Sequence, residues 1–222
     1  MDLSSFLESF LSKISYWVIP VLFAITLHEV AHGWMARFFG DRTAELLGRL
    51  SLNPLRHIDP VGTLLVPALL LAIGGPIFGW AKPVPVAIKA MRNPQRAMVA
   101  VALAGPAANL AMAAFWCAVL GGITRVHGNE TLVGWIALMA QAGIVVNVVL
   151  AVFNLLPIPP LDGGRALSGL LPARWAVRLE QTEPVGLFLV LGLSALGMLG
   201  WLFDPALRFI GRLINALYGS PG

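Results

Sequence analysis

The sequence predicts an all-α polytopic membrane protein, a bundle of about four to six transmembrane helices with a re-entrant segment and a small membrane-associated β element. Three observations predict this class. Of 222 residues, 58% are hydrophobic and 12% charged, with a mean hydropathy of +0.80, too apolar for a soluble domain of this length. Apolar runs recur at about 14–39, 61–79, 97–122, 132–156 and 185–203, most of them near the ~20 residues that carry a helix across a bilayer. Basic residues are scattered between these runs, and the net charge is only +4. That pattern belongs to membrane topology rather than to nucleic-acid binding. The single cysteine, Cys117, lies inside an apolar run and excludes an intrachain disulfide framework. The chain reads as one integral-membrane domain over 1–222, with a core at about 14–170 and C-terminal helices at about 185–218.

The first run follows Lys13 but has no small-residue cleavage site before its polar centre, so it is expected to be retained. That centre is His28-Glu29-Val30-Ala31-His32. On a helix, residues four apart lie about 40° apart around the axis, so His28 and His32 can hold one metal ion from one face. Glu29 lies about 100° round from His28, within reach of a water on that ion. Such a pattern also occurs by chance in soluble helices, and paired histidines can be a hydrogen-bonded core feature. Here the apolar flanks favour the metal, because an unpaired ionised Glu29 has no ready solvent.

The second run is bounded by Asp59-Pro60 and interrupted by Pro67, Gly74, Gly75 and Pro76, which leaves too short a helical core for a straight crossing. Arg42, Arg49 and Arg56 precede it, and Lys82, Lys89, Arg92 and Arg96 follow it. A segment that dips in and returns keeps both groups on the cytoplasmic side, where Lys and Arg accumulate. The first helix then runs inward, 97–122 outward, 132–156 inward and 185–203 outward. Residues 204–218, with Arg208 and Arg212 among apolar residues, suit an interfacial amphipathic helix or part of another span. Thr43–Asn53 and Trp80–Ile88, the latter containing Lys82-Pro83-Val84-Pro85-Val86, read as short extended segments. An edge there could pair with an extended substrate.

Two histidines leave a zinc site short of the usual three protein ligands. The position six residues after His32 is Phe38, and Glu45 follows Gly40-Asp41 beyond the helix end. Asp162 is the better candidate. It lies in Asn154-Leu155-Leu156-Pro157-Ile158-Pro159-Pro160-Leu161-Asp162-Gly163-Gly164-Arg165, where three prolines end a helix at the same cytoplasmic depth as His32. Locally, the same residues could be only a loop turn. Asn109 can orient a ligand or bridge helices, and Asn147 carries the same ambiguity. His57 is on the cytoplasmic side and can approach the metal or a substrate or bond locally, whereas His127 lies on the opposite side.

These elements together resemble the site-2 protease family of intramembrane zinc metalloproteases. The matching residues are His28, Glu29 and His32, then Gly105-Pro106 with Asn109, then Asn154, Leu155, Leu156, Pro157, Pro159, Asp162 and Gly163. The match covers about 20–170 and looks most like the short members, without PDZ or CBS domains. The resemblance implies one catalytic Zn2+ held by His28, His32 and Asp162, with Glu29 as general base. It also implies that Asn154 holds substrate or stabilises the reacting carbonyl, a role extended here to Asn109. Transmembrane proteins in a bacterial-type plasma membrane are the expected substrates, cut at a site toward the cytoplasm. The rival classes are a membrane metal transporter, disfavoured because no ionisable path continues across the bilayer, and an inactive protease-like binder, disfavoured by the intact Glu29.

Overall fold

The computed structural model describes residues 3–66, 69, 82–126 and 128–218, and every regular element among them is helical. Helix α1 is Leu3–Phe38, followed by a single turn α2 at Thr43–Leu46. Two long helices come next, α3 at Pro94–Ile123 and α4 at Glu130–Asn154. Shorter ones complete the chain: α5 at Asp162–Leu170, α6 at Ala173–Glu180, α7 at Glu183–Ala195 and α8 at Leu199–Tyr218. Among the described residues, three helices are long and apolar enough to cross a membrane: Ile14–Phe38 of α1, α3 and α4. They pack on one another and form the core of the molecule.

Local chemistry sets their ends. Asn93, at φ 51°, turns the chain, and Pro94 starts α3 where its missing N–H costs nothing. Asn129 caps α4 by accepting from the Leu132 N–H at 3.1 Å. Lipid offers helices no hydrophobic drive to associate, so close packing of small residues must hold them. Gly143 of α4 gives the clearest case, since a methyl there would collide with the Trp116 ring of α3. Around that contact lie Ala113, Leu120, Ala140, Ile144 and Val148, against which α8 rests Ala206, Leu207, Ile210 and Ile214. Phe23, Leu110, Phe115 and Leu138 point outward, as expected of side chains facing acyl chains.

The fold departs from the sequence expectations in three places. The run at 185–203 is not one helix: α7 ends at Ala195 after 13 residues, fewer than the ~20 of a straight crossing. It stops because Gly197 adopts φ +69° and the Met198 N–H closes back on Leu193 O at 3.0 Å, a glycine-terminated helix end. Thr43–Leu46 is a helical turn rather than an extended segment. Asp41 Oδ1 accepts from the Thr43 N–H at 2.9 Å and from its hydroxyl at 2.5 Å, which starts the turn. Finally, there is no strand among the described residues; 82–87 is irregular, and Pro83 and Pro85 remove alternate donors that a ladder requires. The expected re-entrant segment begins as a wide π-helical turn, Pro60–Leu65, capped by Asp59. Residues 67–68 and 70–81 lie outside the described residues, as does His127.

The stretch 82–87 crosses the end of α1 and is pinned from three sides. The Lys82 N–H donates to His57 O at 2.9 Å, the Val84 N–H to Glu29 Oε2 at 2.8 Å, and the Ala87 N–H to Asp41 Oδ2 at 2.6 Å. Arg49 adds a bond to Lys82 O at 2.8 Å.

Candidate metal centre

His28 and His32 lie one turn apart on α1, and Asp162 opens α5 directly behind the turn that ends α4. Gly163 and Gly164 make that approach possible. A methyl on Gly163 would strike the Leu155 and Leu156 carbonyls, and one on Gly164 would strike the backbone of Pro159. The result places Asp162 Oδ2 3.2 Å from His28 Nε2 and 3.3 Å from His32 Nε2. The three residues are 8%, 9% and 6% exposed in chain order, so bulk water is largely kept out. Gly105 of α3 forms the back wall, where a methyl would run into both imidazoles.

The donor chemistry fits a metal ion. Asn109 Nδ2 donates to Ala24 O at 3.2 Å and to Asn147 Oδ1 at 2.9 Å. The Asn109 oxygen therefore accepts, and His28 Nδ1, 2.6 Å away, donates to it. His32 Nδ1 donates likewise to the Val101 carbonyl at 2.7 Å. With Nδ1 donating, each ring in its neutral form would turn a bare Nε2 lone pair inward, and the two Nε2 atoms are 3.1 Å apart. With Asp162 Oδ2, buried and without a hydrogen-bond partner among the described residues, three electron-rich atoms converge on one point. A divalent cation satisfies all three at once, and the His-His-carboxylate set suits zinc with a position left open.

The remaining candidates are placed as follows. Glu29 faces a cavity of about 570 Å3 shared with Asn154 and Asp162, its carboxylate held by the Val84 N–H. Asn154, the last residue of α4, donates back to Leu150 O at 3.0 Å. Asn109 is fully buried and sits behind His28, not in the cavity, where it holds the His28 ring. Asn147 extends that support by donating to Gly143 O at 2.8 Å, so one hydrogen-bonded chain links α4, α3 and α1. Glu45 is engaged elsewhere, 3.2 Å from Arg37 and 3.3 Å from Arg42. His57 is buried and bonded to Ser51 O at 2.8 Å, outside the cavity lining. The Val84 contact was not foreseen from the sequence, which reads Trp80–Ile88 as an extended segment.

Comparison with known proteins adds independent findings. The model of a family described as "Peptidase family M50" matches residues 118–195, a stretch that contains Asn154 and Asp162. "Putative zinc metalloprotease YwhC" of Bacillus subtilis (strain 168) is 41% identical over 194 residues, 84% of each chain. "Putative zinc metalloprotease Rip2" of Mycolicibacterium smegmatis is 33% identical over 201 residues, 90% of this chain and 73% of that one. The protein of the same name from Mycobacterium tuberculosis (strain H37Rv) is 33% identical over 203 residues, 88% of this chain and 74% of that one. No solved structure matches the chain.

Proposed function

Because this chain belongs to peptidase family M50, the site-2 protease family of zinc metalloproteases, we propose that it hydrolyses peptide bonds within or next to transmembrane segments of membrane-protein substrates. The observation that carries the proposal is the convergence of His28 Nε2, His32 Nε2 and Asp162 Oδ2, with both histidines on α1, a helix apolar enough to cross a membrane. His28, His32 and Asp162 would hold the zinc, which would polarise a carbonyl and make water nucleophilic near neutral pH.

The chain's own groups do the rest. Glu29 takes the proton from the attacking water and returns one to the leaving amine. Its carboxylate is kept at the cavity by the Val84 N–H. Asn154, or nearby backbone, stabilises the charge that develops on the carbonyl oxygen. Asn109 acts through His28, holding its ring and tautomer. The cavity runs between 83–88 on one side and α5 on the other, over a floor from α3 that includes Met98, Val101 and Ala102. A substrate helix must unwind to enter it, because its peptide bonds are otherwise shielded.

The protein is an integral membrane protein. We place the basic segments 42–56, 82–96 and 165–178 on the cytoplasmic side of a bacterial-type plasma membrane, which lets water reach the site from the cytoplasm. The segment 61–79 is taken as re-entrant, and α7 with α8 as C-terminal membrane elements beyond the three core spans.

The test uses purified full-length protein, zinc and a panel of single-span peptides. Wild-type protein cleaves members of the panel, whereas Glu29→Gln is slower by about 10^2- to 10^4-fold with its zinc retained. Cleavage by Glu29→Gln at the wild-type rate refutes the assignment.

A further inference from the structure

The wall that α5 gives the cavity contains Asp162, Arg165 and Ser168. Ser168 is 1% exposed, and its hydroxyl has no hydrogen-bond partner among the described residues. A serine inside a helix usually turns to solvent or bonds back to the carbonyl four residues earlier. Ser168 does neither. Packing does not account for it, since a buried hydroxyl without a partner is destabilising and alanine fills nearly the same space. Gly164 packs α5 against Pro159, and Gly169 packs it against Val99 and the Gln95 carbonyl of α3.

What this hydroxyl serves follows from the cavity. An unwound substrate brings free N–H and C=O groups into a cavity with an apolar floor of Met98, Val101 and Ala102, whose polar lining includes Asn154 and Arg165, and at membrane depth those groups need protein partners. The opposite wall supplies few donors. Pro83 has no N–H, and the Val84 N–H is committed to Glu29. Ser168 stands six residues after Asp162, about 9 Å along α5, and an extended peptide rises about 3.3 Å per residue. A hydroxyl both donates and accepts, so it can take a main-chain group whatever side chain the substrate carries.

Resting on the peptidase reading of the same site, we infer that Ser168 is a substrate-positioning residue. Its hydroxyl bonds the main chain of the bound peptide about three residues from the scissile bond. It acts as a fixed point that sets register along α5, without reading sequence.

Peptide hydroxamates anchored on the metal test this by length. Two series carry one to four leucines, one with a C-terminal hydroxamate and one with a succinyl hydroxamate at the N-terminus, so that both chain directions are covered. Affinities are measured by calorimetry on zinc-loaded, full-length wild-type and Ser168→Ala protein in detergent. The one-leucine members stop short of Ser168 and bind both proteins equally, which also reports an intact fold. In one series the three- and four-leucine members lose about five- to tenfold affinity in the variant, the size of one hydrogen bond. A loss already present at one leucine, or absent at four in both series, overturns the inference while leaving the peptidase reading intact. A wild-type protein that binds no hydroxamate overturns that reading, and this inference with it.

Discussion

Each imidazole of the centre is fixed by what its other nitrogen holds. His28 gives its Nδ1 proton to Asn109 at 2.6 Å and His32 gives its own to Val101 O at 2.7 Å, which leaves both Nε2 atoms free to ligate. Asn109→Ala is therefore expected to weaken zinc binding about 10- to 100-fold, measured by competition with a calibrated chelator; unchanged affinity would show that the ring is oriented by something else. Gly105→Ala puts a methyl against both rings and is expected to lose zinc while its helix remains folded, read from metal content beside circular dichroism. A variant that keeps full zinc occupancy contradicts the close approach. The pairing of His28 and His32 on one face, with Glu29 about 100° round, is legible in sequence because helical spacing alone sets it. Asp162 is legible only through context: three prolines and two glycines mark a chain reversal at the right depth. The part played by Asn109 was not, since a lone amide in an apolar helix reads alike whether it orients a ligand or bridges helices. In this fold it bonds the His28 ring and also bridges to Asn147.

At the scale of elements, the stretch 82–87 joins the site to the end of α1. Asp41 is its outer anchor, 1% exposed. Burial pushes its carboxyl up, but the Thr43 hydroxyl, the Ala87 N–H and the Thr43 N–H outweigh burial and hold it below the usual carboxylate range. Its contribution to stability is present above the unfolded value of about 3.9 and is lost as pH falls through the lower folded value. Asp41→Asn should cost about 1.5–3 kcal/mol near neutral pH, seen as a lower melting temperature in detergent. The gap between variant and wild type should hold from pH 8 to 6, begin to narrow below about pH 4 and keep narrowing as pH falls further. A gap that widens as pH falls below about 4 excludes Asp41 as this anchor. Here the sequence misled for a physical reason: alternation suggested extended pairing at 43–53 and 80–88. Capping by Asp41 instead starts a helical turn at Thr43–Leu46. Strand pairing also depends on distant partners, and Pro83 and Pro85 deny the donors that pairing needs.

For the whole molecule, the class was legible from composition because a bilayer demands long apolar helices, and α1, α3 and α4 meet that demand. The run at 185–203 was harder to read, since hydropathy does not register a single glycine at φ +69° that ends α7. Orientation is open to direct test. In a Cys117→Ser background, single cysteines at Gly128 and Arg174 are probed with a membrane-impermeant maleimide on intact cells. Gly128→Cys should label from outside and Arg174→Cys only after permeabilisation; the reverse pattern would place the metal centre toward the exterior. The central claim is that residues more than a hundred positions apart close one zinc site inside the membrane. It is tested most directly by zinc content per chain in wild type, Glu29→Gln, His32→Ala and Asp162→Ala. The expected result is about one zinc in wild type and in Glu29→Gln, and well under half of that in His32→Ala and Asp162→Ala. An Asp162→Ala protein that still carries one zinc per chain would contradict it.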